Sequence, residues 1–241
     1  MLSERQLKLL ELIIKEYIAT AEPVGSENLV SKYKLNISPA TVRNEMVVLT
    51  EEGFLAKPHF SAGRIPTQLA FRHFIKYLME EEPLPVVNEV AIKQKLWEKR
   101  KDVDELLRQS VRELAQETNQ LALCFLHPER LYHGGYANIL NHPEFYEIDL
   151  TQSILRLLED SEVWRAILAQ IDPAQDFGVL LSEELGLPHL EPCGLVFARI
   201  KPRRENEGHL LVLGPLRLNY PRIIPRVRYF QHLINELGQN L

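Results

Sequence analysis

The sequence predicts an α+β protein, in which a mainly helical N-terminal domain with a small β hairpin precedes a mixed α/β domain. Apolar residues recur at helical spacing in four segments of the first 80 residues, and a glycine-containing hairpin follows the third of them. Beyond a run of three glutamates and two prolines, strand-like apolar runs alternate with amphipathic helices.

The first two helices are predicted from their start and stop signals. Ser3 and Gln6 form a capping box, and apolar residues follow them at helical spacing. Residues 20–25, with a proline and a glycine, end this first helix. Ser26 is then the predicted N-cap of a short second helix.

The third helix is the most sharply delimited. Ser38 stands before Pro39, which suits the first helical position, and the helix runs to Glu52 and ends at Gly53. After it we expect a strand at residues 54–57, a loop at residues 59–64 and a fourth helix capped by Thr67. This order of elements predicts a winged helix-turn-helix.

A boundary is predicted at residues 80–85, because three like charges and two prolines oppose a helix. We expect a DNA-binding domain at residues 1–82, a linker at 83–92 and a second domain at 93–241. In the second domain we expect helices at 93–121, 150–171 and 221–237, strands at 178–181, 195–200 and 209–213, a Gly134-Gly135 turn and a partly antiparallel sheet. The helix at 93–121 is expected to pack on its own domain, with a coiled-coil dimer seam as the alternative.

Composition sets limits on the function. The net charge of −5 does not exclude nucleic-acid binding, because residues 32–76 hold seven basic and three acidic residues, a local charge of +4. No run of eighteen apolar residues or secretory signal is present, so neither a membrane partner nor export is expected. Cys124 and Cys193 match no metal pattern and are expected to be free thiols in a cytoplasmic protein.

The third helix carries the predicted DNA contacts. Val42, Met46 and Leu49 share the face expected to pack on the core, which turns the other side outward. Arginine can bridge guanine and asparagine can bridge adenine, so Arg43 and Asn44 suit base readout, with an ordinary solvated face as the alternative. The predicted DNA-binding residues are Ser38 and Thr41 for phosphates, Arg43, Asn44 and Val47 on the exposed face, Lys57, and the wing residues His59, Ser61, Gly63 and Arg64.

Arg64 is expected at the tip of this wing, where an arginine commonly enters the minor groove. The alternative is a plain hairpin tip.

Three strings occur in order, EPVGS at residues 22–26, SPATVRNEM at 38–46 and PHFSAGRIPT at 58–67. Together they make the chain resemble the heat-inducible transcription repressor family HrcA. The resemblance continues in YHGGYANILNHPEF at 132–145, LEPC at 190–193 and GPLRLNYPRII at 214–224. It implies a winged helix-turn-helix followed by a GAF-like domain.

The resemblance also implies how the protein works. It implies a homodimer that binds an inverted-repeat operator in double-stranded DNA, represses chaperone genes, is kept active by a chaperonin and is released by heat. One departure is clear, because only about a dozen residues, from Leu121 to Tyr132, stand where members of the family carry a much longer central segment. This chain is therefore expected to be a shortened relative.

Other functions were weighed against repression. Cys124, His127, His133 and His142 have no zinc spacing, and Asp172, Asp176, Glu183 and Glu184 lack a nucleophile or phosphate loop, so no metal, cofactor or catalysis is expected. The alternative to the repressor is a ligand-sensing regulator, whose Gly-Gly segment with Tyr136 and Asn138 shapes a small-molecule pocket. A plain tight turn is the expected role of that segment, and an enzyme in the second domain is the weakest hypothesis.

Overall fold

The structure is a computed structural model that describes residues 2–58, 63–127, 130–203 and 205–239. The chain separates into two compact units, Met1–Glu80 and Glu81–Leu241. Helices and strands occur in both units, which confirms the α+β class.

The first unit follows the predicted order of elements. These are α1 (Glu4–Thr20), α2 (Ser26–Tyr33), α3 (Pro39–Glu51), β1 (Leu55–Ala56), β2 (Ile65–Pro66) and α4 (Gln68–His73), which continues as a π-helical turn at Phe74–Leu78. The capping box of Ser3 and the caps of Ser38 and Thr67 are confirmed. The prediction for Ser26 was wrong by one residue, because Gly25 has the extended N-cap conformation and Ser26 is already helical and buried.

The core of the first unit lies between its helices. α1 contributes Leu10, Ile13 and Ile14, and α4 contributes Phe71, all fully buried. Buried Glu16 adds a polar link, because its carboxylate accepts hydrogen bonds from Lys32 Nζ at 2.6 Å and Tyr33 Oη at 3.0 Å. α1 and α2 are therefore joined by charge as well as by apolar packing.

The second unit opens with a helical hairpin of α5 (Val86–Lys99) and α6 (Val103–Thr118). The linker expected over residues 83–92 is helical from Val86 onward, and the single helix expected over 93–121 is interrupted. Asp102 causes the break, since it is extended and its carboxylate accepts from the amides of Asp104 and Glu105. Lys95 Nζ bonds Glu113 at 2.8 Å, which holds the two helices antiparallel.

The segment predicted as a domain boundary, residues 80–85, is docked from Glu81 onward against α9 (Tyr220–Gln239). Pro225 has no amide to bond the carbonyl of Pro221 one turn earlier, and that carbonyl accepts the amide of Glu82 at 2.8 Å instead. Arg226 donates to the carbonyl of Glu82 at 3.2 Å, and Leu84 is buried. This stretch is therefore part of the second unit.

A five-stranded sheet forms the centre of the second unit. Its strands are β3 (Leu121–Leu126), β4 (Arg130–Gly134), β5 (Phe177–Leu181), β6 (Cys193–Arg203) and β7 (Asn206–Pro215), in the order β4-β3-β7-β6-β5. All four pairings are antiparallel, so the expectation of a partly antiparallel sheet was wrong. The β3–β4 hairpin occupies the interval from Leu121 to Tyr132.

Helices cover both faces of this sheet. Leu123, Phe197 and Leu211 point to one face and pack with α7 (Ile148–Leu157) and α8 (Ser161–Leu168). α6 and α9 contact the other face, which confirms that the apolar side of α6 packs on its own domain. The single helix expected over 150–171 is divided, because Asp160 accepts from the amide of Glu162 and starts α8.

Candidate nucleic-acid interface

α3 turns one face to the core and another to solvent, as its sequence predicts. Val42, Met46 and Leu49 are buried. Ser38, Arg43, Asn44 and Val47 are exposed and Thr41 is half-buried, so the predicted base-reading and phosphate-binding residues share an accessible surface. Neither Arg43 nor Asn44 has a side-chain partner among the residues that the structure describes.

The start of α3 is fixed by its own hydroxyl groups. Ser38 Oγ accepts the amide of Thr41 at 3.1 Å, and it lies 2.9 Å from Thr41 Oγ1. Because one hydroxyl donates to the other, this pair keeps one free hydroxyl proton at a helix N-terminus, where the helix dipole favours an anion. Of the two hydroxyl groups predicted to contact phosphates, the pair therefore has one proton left for an outside acceptor.

The sequence analysis missed Glu45, which clamps α3 to α1. Its carboxylate is buried, forms an ion pair with Arg5, and accepts from Gln6 Nε2 at 2.9 Å. Because these contacts pair the charge of Glu45, the exposed acids are Glu51, the last residue of α3, and Glu52, its C-cap, at the end away from Ser38. The N-terminal half of α3 is thus left with the positive charge of Arg43.

Arg64 lies at the base of the hairpin, contrary to the expectation of a tip residue. It forms a β-bridge with Val24, and its Nε donates to Thr50 Oγ1 at 3.1 Å. The half-buried guanidinium therefore ties the hairpin to the C-terminal end of α3. Thr50 is a second residue that sequence reasoning missed, because the contact spans fourteen positions and has no local signal.

Gly63 has a steric reason to be glycine. A Cβ at this position would lie 2.5 Å from the carbonyl carbon of Val24 and 2.9 Å from that of Pro23. The hairpin therefore approaches the backbone before α2 more closely than any side chain allows. Lys57 is exposed directly after β1, whereas the predicted contacts His59 and Ser61 lie outside the described residues.

The groups considered for metal binding and catalysis all belong to the second unit. Cys124 and Cys193 are free and buried, and burial raises the pKa of both thiols, that of Cys193 to about 12. Within the described ranges, no cluster of three histidines, cysteines or acids has a geometry that would hold a metal ion. Nor does any described helix have the length and hydrophobicity needed to span a membrane.

An exposed arginine and asparagine on a helix anchored beside a β hairpin are groups that a DNA-binding regulator can present to bases. The comparisons identify the family. The family model described as HrcA protein C terminal domain matches residues 34–224, most of the chain. The chain belongs to the HrcA family.

Two relatives named as HrcA repressors and one solved structure illustrate what the chain is similar to. The heat-inducible transcription repressor HrcA of Symbiobacterium thermophilum is 26% identical over 339 aligned positions that cover 99% of both chains. That of Parafrankia sp. is 37% identical over 180 residues, 75% of this chain and 51% of its own length. A crystal structure of a hypothetical protein shares the fold, with a TM-score of 0.77 at 17% identity, over 99% of this chain and 98% of its own. The names of the two HrcA relatives indicate transcription repression.

The first of these alignments also shows that the chain is short. It has 339 positions, whereas this chain has 241 residues, so at least 98 positions have no counterpart here. Because the alignment reaches 99% of both chains, these positions are internal. This agrees with the shortened central region that the sequence predicts.

Proposed function

We propose that this protein represses heat-shock and chaperone genes in the cytoplasm by binding an inverted-repeat operator as a homodimer. In this proposal the first unit is a winged helix-turn-helix, with α3 as the recognition helix and the β1–β2 hairpin as the wing. The second unit is a GAF-like domain that dimerises and carries control by heat, through a chaperonin where one binds. Relatives named heat-inducible transcription repressors support this role.

One observation carries the proposal: Arg43 and Asn44 stand exposed on a helix whose opposite face is buried. Arg43 can donate two hydrogen bonds to guanine O6 and N7, and Asn44 can pair with adenine N6 and N7. Val47 is exposed one turn further along the helix and suits contact with a thymine methyl group. These three side chains give α3 the chemistry to distinguish bases in the major groove.

The flanking residues suit contacts to the DNA backbone. Ser38 and Thr41 offer a hydroxyl proton to a phosphate at the start of α3. Lys57 would neutralise a phosphate beside the wing. Arg64 is proposed to act mainly by holding the wing against Thr50, with its guanidinium close enough to the hairpin surface to face a phosphate.

Fluorescence anisotropy on a duplex selected by the full chain from a random pool tests this role. We expect Arg43→Ala to weaken binding by about 1–3 kcal/mol and to relax the preference at one base position. Arg156→Ala, an exposed helical arginine in the second unit, removes the same charge from the chain and is the matched control. Equal losses for both variants would mean that net charge, and not α3, determines binding.

A second candidate is a ligand-sensing regulator, which one cleft in the second unit favours. A cavity of about 430 Å³ lies between α6 and β4, within the size range of small-molecule sites. Arg108, Arg112, His133 and Tyr136 line it, so an anionic metabolite is its best occupant. The Gly-Gly segment borders this cleft. Asn138 Nδ2, however, donates to the carbonyl of Gln120 at 3.0 Å, so the role of Asn138 is structural.

Temperature and ligand separate these two candidates. Loss of operator binding on heating, without any added compound, supports the heat-controlled repressor. Release from DNA by a phosphorylated or carboxylated metabolite at constant temperature, abolished by Arg112→Gln, supports ligand sensing.

A further inference from the structure

α5 carries an apolar stripe that the second unit leaves in solvent. Val86, Val87, Val90 and Trp97 are exposed by 71%, 79%, 62% and 46%. The opposite side of the helix is buried through Ile92 and Leu96. We call these four exposed residues the α5 stripe. Contiguous exposed apolar surface of this kind commonly marks an interaction site.

The spacing of the stripe is that of a helix-pairing seam. Positions 87, 90, 94 and 97 are separated by three, four and three residues, which keeps them on one side of α5. Two valines and a tryptophan occupy the apolar layers of this seam, and Gln94 lies between them. A facing helix would therefore meet one continuous row of side chains.

Charge at the two ends of α5 decides which helix fits. Acidic Glu81 and Glu82 precede the helix, and Lys99, Arg100 and Lys101 lie at its other end. Within the second unit, Glu81 pairs with Arg228 at 2.5 Å and Lys99 with Glu105 at 3.5 Å. Glu82 and Lys101 are both exposed, and Lys101 forms no ion pair within the part of the chain that the structure describes. A parallel copy of α5 would place like charges together at both ends, whereas an antiparallel copy places each acidic end against a basic end.

Arg100 fits the same arrangement. Its guanidinium lies 3.9 Å from the centre of the Trp97 ring, so the basic end and the apolar stripe form one surface. In an antiparallel pair the large Trp97 packs over the small Val87 of the partner subunit, and both copies make the same contact. Such a surface is complementary to itself about a two-fold axis.

We propose that a second copy of this chain docks on the α5 stripe, with the two α5 helices antiparallel. This inference rests on the homodimer of the proposed function and assigns its contact surface. The proposed contact uses residues that this chain retains, and none of the central positions that it lacks relative to the longer relatives. Because two short helices bury less than a standard interface, we expect a reversible dimer with a Kd in the micromolar range.

Sedimentation velocity of the full chain, without DNA, tests the inference. We expect Val90→Asp to raise the dimer Kd at least tenfold, since it places a carboxylate in the seam. Ile148→Asp is the matched control, because Ile148 is 71% exposed, against 62% for Val90, and lies on α7. Equal self-association of the wild type and Val90→Asp would overturn the proposal. So would a wild type that stays monomeric at 100-fold the concentration used in the DNA-binding assay.

Charge reversal tests the antiparallel direction. Lys101→Glu alone should weaken the dimer, and the double variant Glu82→Lys/Lys101→Glu should restore it, because the opposite charges meet again. In a parallel pair the single and double variants would behave alike, which would contradict the direction. Thermal melting checks that each variant is folded.

Failure of this inference is distinguishable from failure of the proposed function. A duplex carrying one half of the selected site reports base reading by a single copy, and Val90→Asp should bind it as the wild type does. Arg43→Ala should lose that binding while its sedimentation stays unchanged. An Arg43→Ala variant that loses self-association but keeps half-site binding would contradict both assignments.

Discussion

Gly63 offers a direct test of how the hairpin is held beside α3. In Gly63→Ser, the new Cβ must move from 2.5 Å to at least 3.0 Å from the carbonyl carbon of Val24. The backbone must then open by 0.5 Å at the place where Val24 and Arg64 exchange hydrogen bonds of 2.8 and 2.9 Å. Overpacking of this size costs about 1–3 kcal/mol. We expect the first unit to lose that much stability and the hairpin to shift.

Gly25→Ser is the matched control, since a Cβ there meets nothing within 4 Å. Gly25 is the N-cap of α2, a position that favours serine, so this variant should be neutral or slightly more stable.

The assay separates the two units. Both tryptophans, Trp97 and Trp164, belong to the second unit, so their fluorescence reports its unfolding in urea, whereas far-UV circular dichroism follows both units. Gly63→Ser should shift the circular-dichroism transition and leave the fluorescence transition in place. Equal stability of the two serine variants would refute the close approach between the hairpin and Val24.

Further predictions concern buried titratable groups. Burial lowers the pKa of His209 to about 4, so the unfolded chain binds more protons between pH 4 and 6.5. Acidification from pH 7 to 4 should therefore lower the free energy of unfolding by about 3 kcal/mol through this group. Urea unfolding at several pH values should show a smaller loss in His209→Gln and an unchanged loss in the exposed control His232→Gln. Lys32 lowers the pKa of Glu16, so the stability from this carboxylate is present above its unfolded pKa and is lost as pH falls below it. Glu16→Gln should destabilise the first unit by about 1–3 kcal/mol at pH 7 and by less in acid; a loss that does not depend on pH would contradict the ion pair. Cys124 and Cys193 should react with a thiol reagent only as the second unit unfolds, so rapid labelling of the native chain would contradict their burial.

The elements that the sequence predicted well are those with local signals. Ser3, Ser38 and Thr67 each bond an amide within three residues, so the cap and the helix it starts are readable together. The orientation of α3 was predictable for a similar reason, because three apolar side chains at helical spacing determine which side faces the core.

The errors arise where distant residues decide the outcome. Asp102 and Asp160 interrupt two predicted helices, and apolar periodicity continues past both positions without marking the cap. The predicted boundary at residues 80–85 is ordered because Pro225, more than 140 positions from Glu82, has no amide to bond the carbonyl of Pro221, which accepts the amide of Glu82 instead. Arg64 was expected at the tip because the sequence gives no sign of its partner Thr50, which belongs to another element.

The contact between Arg43 and a guanine is the central claim, and a double-mutant cycle measures it most directly. In the selected duplex, 7-deazaguanine removes the N7 acceptor from one guanine at a time, and anisotropy gives the affinity for the wild type and for Arg43→Ala. We expect one guanine whose replacement costs the wild type about 1–3 kcal/mol and costs Arg43→Ala almost nothing. If every guanine shows the same loss in both proteins, Arg43 does not read a guanine N7, and the assignment of α3 as the base-reading helix is contradicted.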